Sequence, residues 1–202
     1  MTEVNENVAT LVVVGTWNVS IFTPEWVKEN VLIGKDFQIL FPVNIMNSLK
    51  FVVPNKYSLA VNGNRLEFQL NDNCDVCSKE LLEPVRNVLR SLIHTPVSSF
   101  GINYVFKTNE QPGLLSTLPH TIEIKDALNS EVESTEVTRS IKLQDGNILN
   151  FKIYQKGQET NFDFNFSYVV NKIQTMLDIL GDDNIIISKR NVAKELLEKV
   201  YE

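Results

Sequence analysis

One amphipathic segment in the middle of the chain constrains the fold more than any other feature. Between residues 81 and 93, apolar residues recur at helical spacing and form a stripe broad enough to lie on a sheet. Its members are Leu81, Leu82, Val85, Val88, Leu89, Leu92 and Ile93. The flanking segments, at residues 48–70 and 99–107, alternate apolar and polar residues as half-buried strands do. Because those strands are the nearest cover for the stripe, we expect an α+β core at this place.

Composition and charge exclude several classes of protein. The 202 residues are 43% hydrophobic and 22% charged, which is ordinary for globular domains. The net charge of -6 leaves no basic footprint for phosphate contacts, so nucleic-acid binding is disfavoured. The first seven residues are acidic and polar, unlike a secretory signal, and every apolar run is far shorter than a membrane-spanning helix. We therefore expect a soluble, cytoplasmic protein that does not contact a membrane.

The order of predicted elements repeats along the chain. Residues 48–106 read as three strands, a helix and a strand, and residues 137–188 read in the same order, with Ile185–Ile187 as the last strand. The predicted fold is therefore α+β, with antiparallel sheets each covered by helices, in two similar β-β-β-α-β modules after an N-terminal strand-helix-strand segment. The predicted boundaries are 1–108 for the N-terminal module, 109–136 for an irregular connection and 137–202 for the C-terminal module. One compact domain is the alternative, and common ancestry of the modules is a hypothesis.

Two turns fix the register of two predicted hairpins. Asn62-Gly63 and Lys156-Gly157 are typical of tight turns, and a two-residue loop keeps one face of each hairpin apolar. The first turn then pairs Leu59 with Leu66 and Tyr57 with Phe68. The second pairs Phe151 with Phe162 and Leu149 with Phe164.

Cys74-Asp-Val-Cys77 is the one recognisable chemical motif in the chain. A thiol at the start of a helix favours the thiolate form, as in redox sites, but the charge of Asp75 opposes that form, and the surrounding elements are not a βαβ unit. A zinc site needs four ligands, so the two thiols require His94 or His120, or a second copy of the chain. The third alternative is structural: the cysteines belong to a strand-to-helix turn. In that case Asp72, Asn73 or Asp75 caps the helix.

Other chemical motifs are missing from the sequence. It contains no nucleophile elbow, no phosphate-binding loop and no calcium-binding loop. Aromatic residues that alternate along two strands suggest either base stacking or a core face, and the scarcity of nearby basic residues favours the core. These residues are Phe100, Tyr104, Phe106, Phe162, Phe164 and Phe166.

The lack of a complete catalytic set favours a non-enzymatic interaction or assembly protein, although whether the protein is an enzyme stays open. We expect self-association as a homodimer, or a role as a subunit of a complex. If the repeat is real, either the two sheets join edge to edge or a dimer interface forms through the exposed strand Ile185–Ile187. No catalytic residue and no cofactor is predicted. The alternatives are a small redox or zinc-binding protein that uses Cys74 and Cys77, or a small-molecule-binding module with a pocket lined by residues 109–135.

Overall fold

The chain forms a large antiparallel sheet with helices packed against it. The computed structural model describes residues 5–6, 9–41, 49–109 and 133–201. The strands in these ranges are β1 Asn5–Glu6, β2 Thr10–Gly15, β3 Gln38–Leu40, β4 Leu49–Val53, β5 Tyr57–Asn62, β6 Arg65–Leu70, β7 Val97–Thr108, β8 Ser134–Lys142, β9 Ile148–Lys156 and β10 Glu159–Val169. The helices there are α1 Pro24–Asn30, α2 Asp75–Ser91, α3 Ile173–Ile179 and α4 Ile185–Tyr201, with a 3₁₀ turn at Val19–Ile21. The coarse α+β prediction is confirmed.

The strands follow the order β3-β4-β5-β6-β2-β7-β10-β9-β8, and β1 pairs with β7 beside the start of β2. Every pairing between the described strands is antiparallel. Since β6 and β7 both run opposite to β2, they run parallel to each other and need a crossover connection. Helix α2 supplies that crossover. A single sheet thus contains strands from both predicted modules, and the division of the chain into modules stays a prediction.

One face of the sheet carries the hydrophobic core. Leu11 and Val13 of β2 are fully buried, and the register places them between apolar residues of β6 and β7. The Tyr104 hydroxyl on the same face donates a hydrogen bond to the Ile186 carbonyl, which ties α4 to β7. The predicted stripe of α2 is buried in this core over most of its length, at Leu81, Leu82, Val85, Val88 and Leu89.

The opposite face carries a chain of polar side chains that crosses five strands. The Ser140 hydroxyl donates to Asn150 at 2.7 Å, and Asn150 donates to Asn165 at 3.0 Å. Asn165 donates to Asn103, which donates to the Thr10 hydroxyl at 3.1 Å. Side-chain amides can donate and accept at once, so this row links neighbouring strands on the face away from the core.

Ile185–Ile187 was predicted to be a strand, and that prediction is wrong. These residues form the first turn of α4, and both Ile185 and Ile186 are buried. The preceding turn explains the change, because the Asp182 carboxylate accepts from the Asn184 N–H at 2.9 Å and the Asn184 carbonyl accepts from the Ser188 N–H at 2.8 Å. A run of β-branched residues favours a strand locally, but burial against the core outweighs that preference here. The predicted dimer contact through this segment is lost with it.

Both hairpins have the two-residue loop that was predicted, but each loop lies one residue further along the chain. Asn62 pairs with Arg65, and its side chain accepts from the N–H groups of Asn64 at 3.1 Å and Arg65 at 2.9 Å. Asn62 is therefore the first corner of the turn and not a central residue. Each residue therefore pairs two positions further along the partner strand than predicted, and the apolar side chains stay on one face of each hairpin. Leu59 pairs with Phe68, and Phe151 pairs with Phe164.

We expect two buried tyrosines to respond in opposite ways to loss of the hydroxyl. Tyr57 is 1% exposed and its hydroxyl has no hydrogen-bond partner among the described residues, whereas the Tyr104 hydroxyl donates to Ile186. Tyr57→Phe should leave the free energy of unfolding unchanged or raise it by up to about 1 kcal/mol, and Tyr104→Phe should lower it by about 1 kcal/mol. Urea denaturation at pH 7 measures both. A larger loss for Tyr57→Phe than for Tyr104→Phe would contradict this assignment.

We also expect Tyr57 to make the stability of the protein depend on pH in the alkaline range. Burial, followed by the charges of Glu83 and Glu80, raises the pKa of Tyr57 to about 12. Since this value exceeds that of an unfolded tyrosine, the associated stability is complete below about pH 10 and is lost as the pH rises toward 12. Tyr57→Phe should reduce that loss in urea denaturation across the same range.

Candidate functional site

Cys74 and Cys77 form a disulfide bond at the corner between β6 and α2. Cys74 is the N-cap residue of the helix, with extended backbone angles, and Cys77 lies in the first helical turn. The motif is therefore placed as a redox site requires, with one sulfur at a helix N-terminus. Both cysteines are half-buried.

The cap of α2 is the Cys74 sulfur itself. The Sγ atom accepts a hydrogen bond from the Cys77 N–H at 3.0 Å, and the Cys74 carbonyl accepts from the Ser78 N–H at 2.9 Å. The prediction that Asp72, Asn73 or Asp75 caps the helix is wrong. The carboxamide oxygen of Asn73 is used elsewhere, because it accepts from the Ala9 N–H at 2.8 Å. The Cys77 N–H, which has no partner within the helix, thus donates to the Cys74 sulfur, where it would stabilise a thiolate.

The two sulfurs differ in their surroundings. Cys77 packs against the hydrophobic core, whereas Cys74 lies at the end of the loop from β6. Between them Val76 is 67% exposed, so the outer side of the motif faces solvent. Cys77 is therefore the sulfur on the core side of the motif.

Arg190 of α4 holds the segment on both sides of Cys74. One guanidinium nitrogen donates to the Asn73 carbonyl and another donates to the Asp75 carboxylate. The Arg190 side chain is 12% exposed. The negative charge beside the cysteines, which counts against a thiolate in the sequence, is thus paired with a cation. Sequence reasoning missed Arg190 because it lies 115 positions from Asp75 in an unremarkable amphipathic helix.

Further contacts fix α4 near the cysteines. Lys194, one turn beyond Arg190, pairs with Glu6 at 2.6 Å. Tyr104 contacts the backbone of the same helix through its hydroxyl. Burial raises the pKa of Tyr104 well above its usual value, the Arg190 charge acts in the opposite direction and the Glu6 charge raises it further. The guanidinium of Arg190 is therefore part of a network that joins β1, β7, α2 and α4.

The predicted metal site is only partly assembled. Possible ligand atoms of Asp72, Cys74 and Cys77 lie within 4.8 Å of one another. His94 lies beyond the far end of α2, whose 17 residues correspond to about 25 Å of helix. His120 lies outside the described residues. In the disulfide form neither sulfur is a thiolate, which is the form that binds zinc, so a metal site in the reduced protein stays a prediction.

The other sites considered from the sequence, and one surface cleft, offer fewer reactive groups than the cysteine pair. The aromatic residues considered for base stacking are buried, so the core interpretation is confirmed; they are Phe100, Tyr104, Phe106, Phe162, Phe164 and Phe166. An open cleft of about 290 Å³ lies beside His94 and Lys172, without a buried polar group in its lining. The pocket predicted at residues 109–135 falls almost entirely outside the described residues.

Comparisons with known proteins leave this site as the main source of functional inference. No protein-family model matches the chain, and no curated protein is significantly similar to it. Within the described ranges, no helix combines the length and the apolar character needed to cross a bilayer.

Proposed function

We propose that the protein is a thiol–disulfide redox protein in which Cys74 and Cys77 alternate between a disulfide and a dithiol. The observation that carries this proposal is the hydrogen bond from the Cys77 N–H to the Cys74 Sγ at 3.0 Å, at the positive end of a 17-residue helix. This contact favours the thiolate when the disulfide opens. The pairing of Asp75 with Arg190 supports the proposal further, because it compensates the charge that opposes a thiolate.

The reaction follows from the different positions of the two sulfurs. A thiolate of a partner molecule attacks the Cys74 Sγ, forms a mixed disulfide and releases Cys77 as a thiolate, which takes up a proton. A second thiolate of the partner then attacks the partner's own sulfur in the mixed disulfide and releases Cys74. Two electrons pass from the partner's dithiol to this chain, and the partner becomes the disulfide. The reverse sequence starts with the Cys74 thiolate and reduces a partner disulfide.

Equilibration in glutathione redox buffers tests the proposal. We expect a reduction potential above about -300 mV, because a disulfide below this value is resistant to reduction and serves structure alone. The reduced protein should remain folded, since the bond closes only a short loop. A potential below about -300 mV, or loss of the folded state on reduction, would contradict the proposal.

Single-cysteine variants test the assigned roles. Cys77→Ser should accumulate a mixed disulfide with glutathione at Cys74, because the resolving thiol is absent. Cys74→Ser is the matched control and should form that adduct at least about tenfold more slowly, since Cys77 packs against the core. Mass spectrometry of intact protein after timed exposure to oxidised glutathione measures both rates. Equal rates would contradict the order of attack.

A second candidate function is assembly, which remains the prediction from the sequence. It gains support from β8, a nine-residue strand that pairs with β9 and with no other described strand. Ile141 on this strand is 41% exposed, and a long edge strand invites pairing with another chain. We therefore infer that any self-association uses β8, and not the segment Ile185–Ile187.

Sedimentation velocity combined with native mass spectrometry tests this second candidate. We expect a dimer that Ile141→Lys dissociates. Thr138→Lys is the control, because Thr138 is exposed on the other face of the same strand. A monomeric wild-type protein would contradict self-association. A mass excess equal to zinc in the reduced protein would favour the metal prediction over both proposals.

A further inference from the structure

Arg190 differs from an ordinary surface cation in how it contacts the redox motif. Its guanidinium bonds to the residue before Cys74, through the Asn73 carbonyl, and to the residue after it, through the Asp75 carboxylate. The side chain is mostly buried, whereas Asp75 is largely exposed. A planar guanidinium that donates to two groups fixes their relative geometry, which an ammonium group cannot reproduce.

The charges next to the cysteines make this contact chemically relevant. Asp72 and Asp75 are the acidic residues beside Cys74 in the chain, and Lys79 is the nearest basic residue along α2. From the elements packed around the motif, α4 contributes Arg190, while Lys194 is already paired with Glu6. Arg190 is therefore the cation placed to offset Asp75 when a thiolate forms at Cys74.

We propose that Arg190 is a positioning residue for the exchange reaction: it holds the Cys74 loop against α4 and compensates Asp75, and thereby sets the reduction potential of the disulfide. This inference rests on the proposed redox function. A residue with a purely structural role would stabilise the oxidised and the reduced protein equally, and its loss would leave the potential unchanged. A residue that stabilises the thiolate raises the reduction potential, because it stabilises the reduced protein relative to the disulfide form.

The test compares reduction potentials of four variants with that of the wild type in glutathione buffers. Arg190→Met leaves Asp75 uncompensated and should favour the disulfide by about tenfold, a decrease of about 30 mV. Asp75→Asn leaves Arg190 unopposed and should shift the potential in the opposite direction. The double variant should lie near the wild type. Arg190→Lys, which keeps the charge but not the two-point geometry, should recover only part of the loss.

Arg86 supplies a matched control. It also donates to a backbone carbonyl, that of Leu180 at 2.7 Å, and pairs with a carboxylate, that of Asp183 at 2.7 Å. Arg86→Met should therefore reduce stability in the same manner as Arg190→Met, with an unchanged reduction potential. If Arg190→Met fails to fold, Arg190→Gln tests the inference in its place, because it removes the charge, keeps a hydrogen-bond donor and should shift the potential in the same direction.

The outcomes separate this inference from the proposed function. Opposite shifts for Arg190→Met and Asp75→Asn, with none for Arg86→Met, support the inference. A wild-type potential above about -300 mV that Arg190→Met leaves unchanged overturns the role of Arg190 and leaves the redox function standing, whatever the effect of Asp75→Asn. A wild-type potential below that value overturns the redox function, and the role of Arg190 with it.

Discussion

The structure depends on the pairing of β2 with two strands at once. This strand hydrogen-bonds to β6 on one side and to β7 on the other, and its side chains on the core face, Leu11 and Val13, are fully buried. Both neighbours run opposite to it, so α2 has to cross from the end of β6 to the start of β7. The two ends of β2 are tied to the two ends of that crossover: the Ala9 N–H bonds to Asn73 at 2.8 Å, and the Thr16 N–H bonds to the Pro96 carbonyl at 2.9 Å.

The candidate site is a product of this arrangement. The Asn73 side chain is held by Ala9, and the helix begins directly after it with Cys74 as the cap. The position of α4 against β7 then brings Arg190 to the same corner. Contacts from Ala9, just ahead of β2, and from Arg190 of α4 thus meet at Asn73 and Asp75, the residues on either side of Cys74. The local chemistry therefore depends on residues that are far apart in the sequence. This arrangement supports the proposed redox role, because Arg190 pairs with the Asp75 carboxylate, whose negative charge opposes a thiolate at Cys74.

Periodicity predicted the regular elements well, while the interactions that matter most for the site were beyond its reach. The stripe of α2 and the alternation in β7 and β10 are local patterns that burial enforces, so they could be read directly. The position of each hairpin turn depended on a side-chain bond of Asn62 or on Gly157 with a positive φ of 59°, and alternation cannot distinguish registers that differ by two residues. Ile185 lies in a helix and not in the predicted strand, because packing against the core outweighs its local preference for a strand. The contact between Arg190 and Asp75 has no signal in a single sequence.

The measurement that tests the central claim most directly is the redox state of Cys74 and Cys77 in the protein's own cells. Acid quenching, differential alkylation and mass spectrometry report the fractions of dithiol and disulfide before and after a brief exposure to a mild oxidant. A reversible redox pair predicts a mixture that moves toward the disulfide with the oxidant and returns within minutes after its removal. A pair that stays fully oxidised or fully reduced throughout would contradict the account and would make the cysteines part of the structural cap of α2.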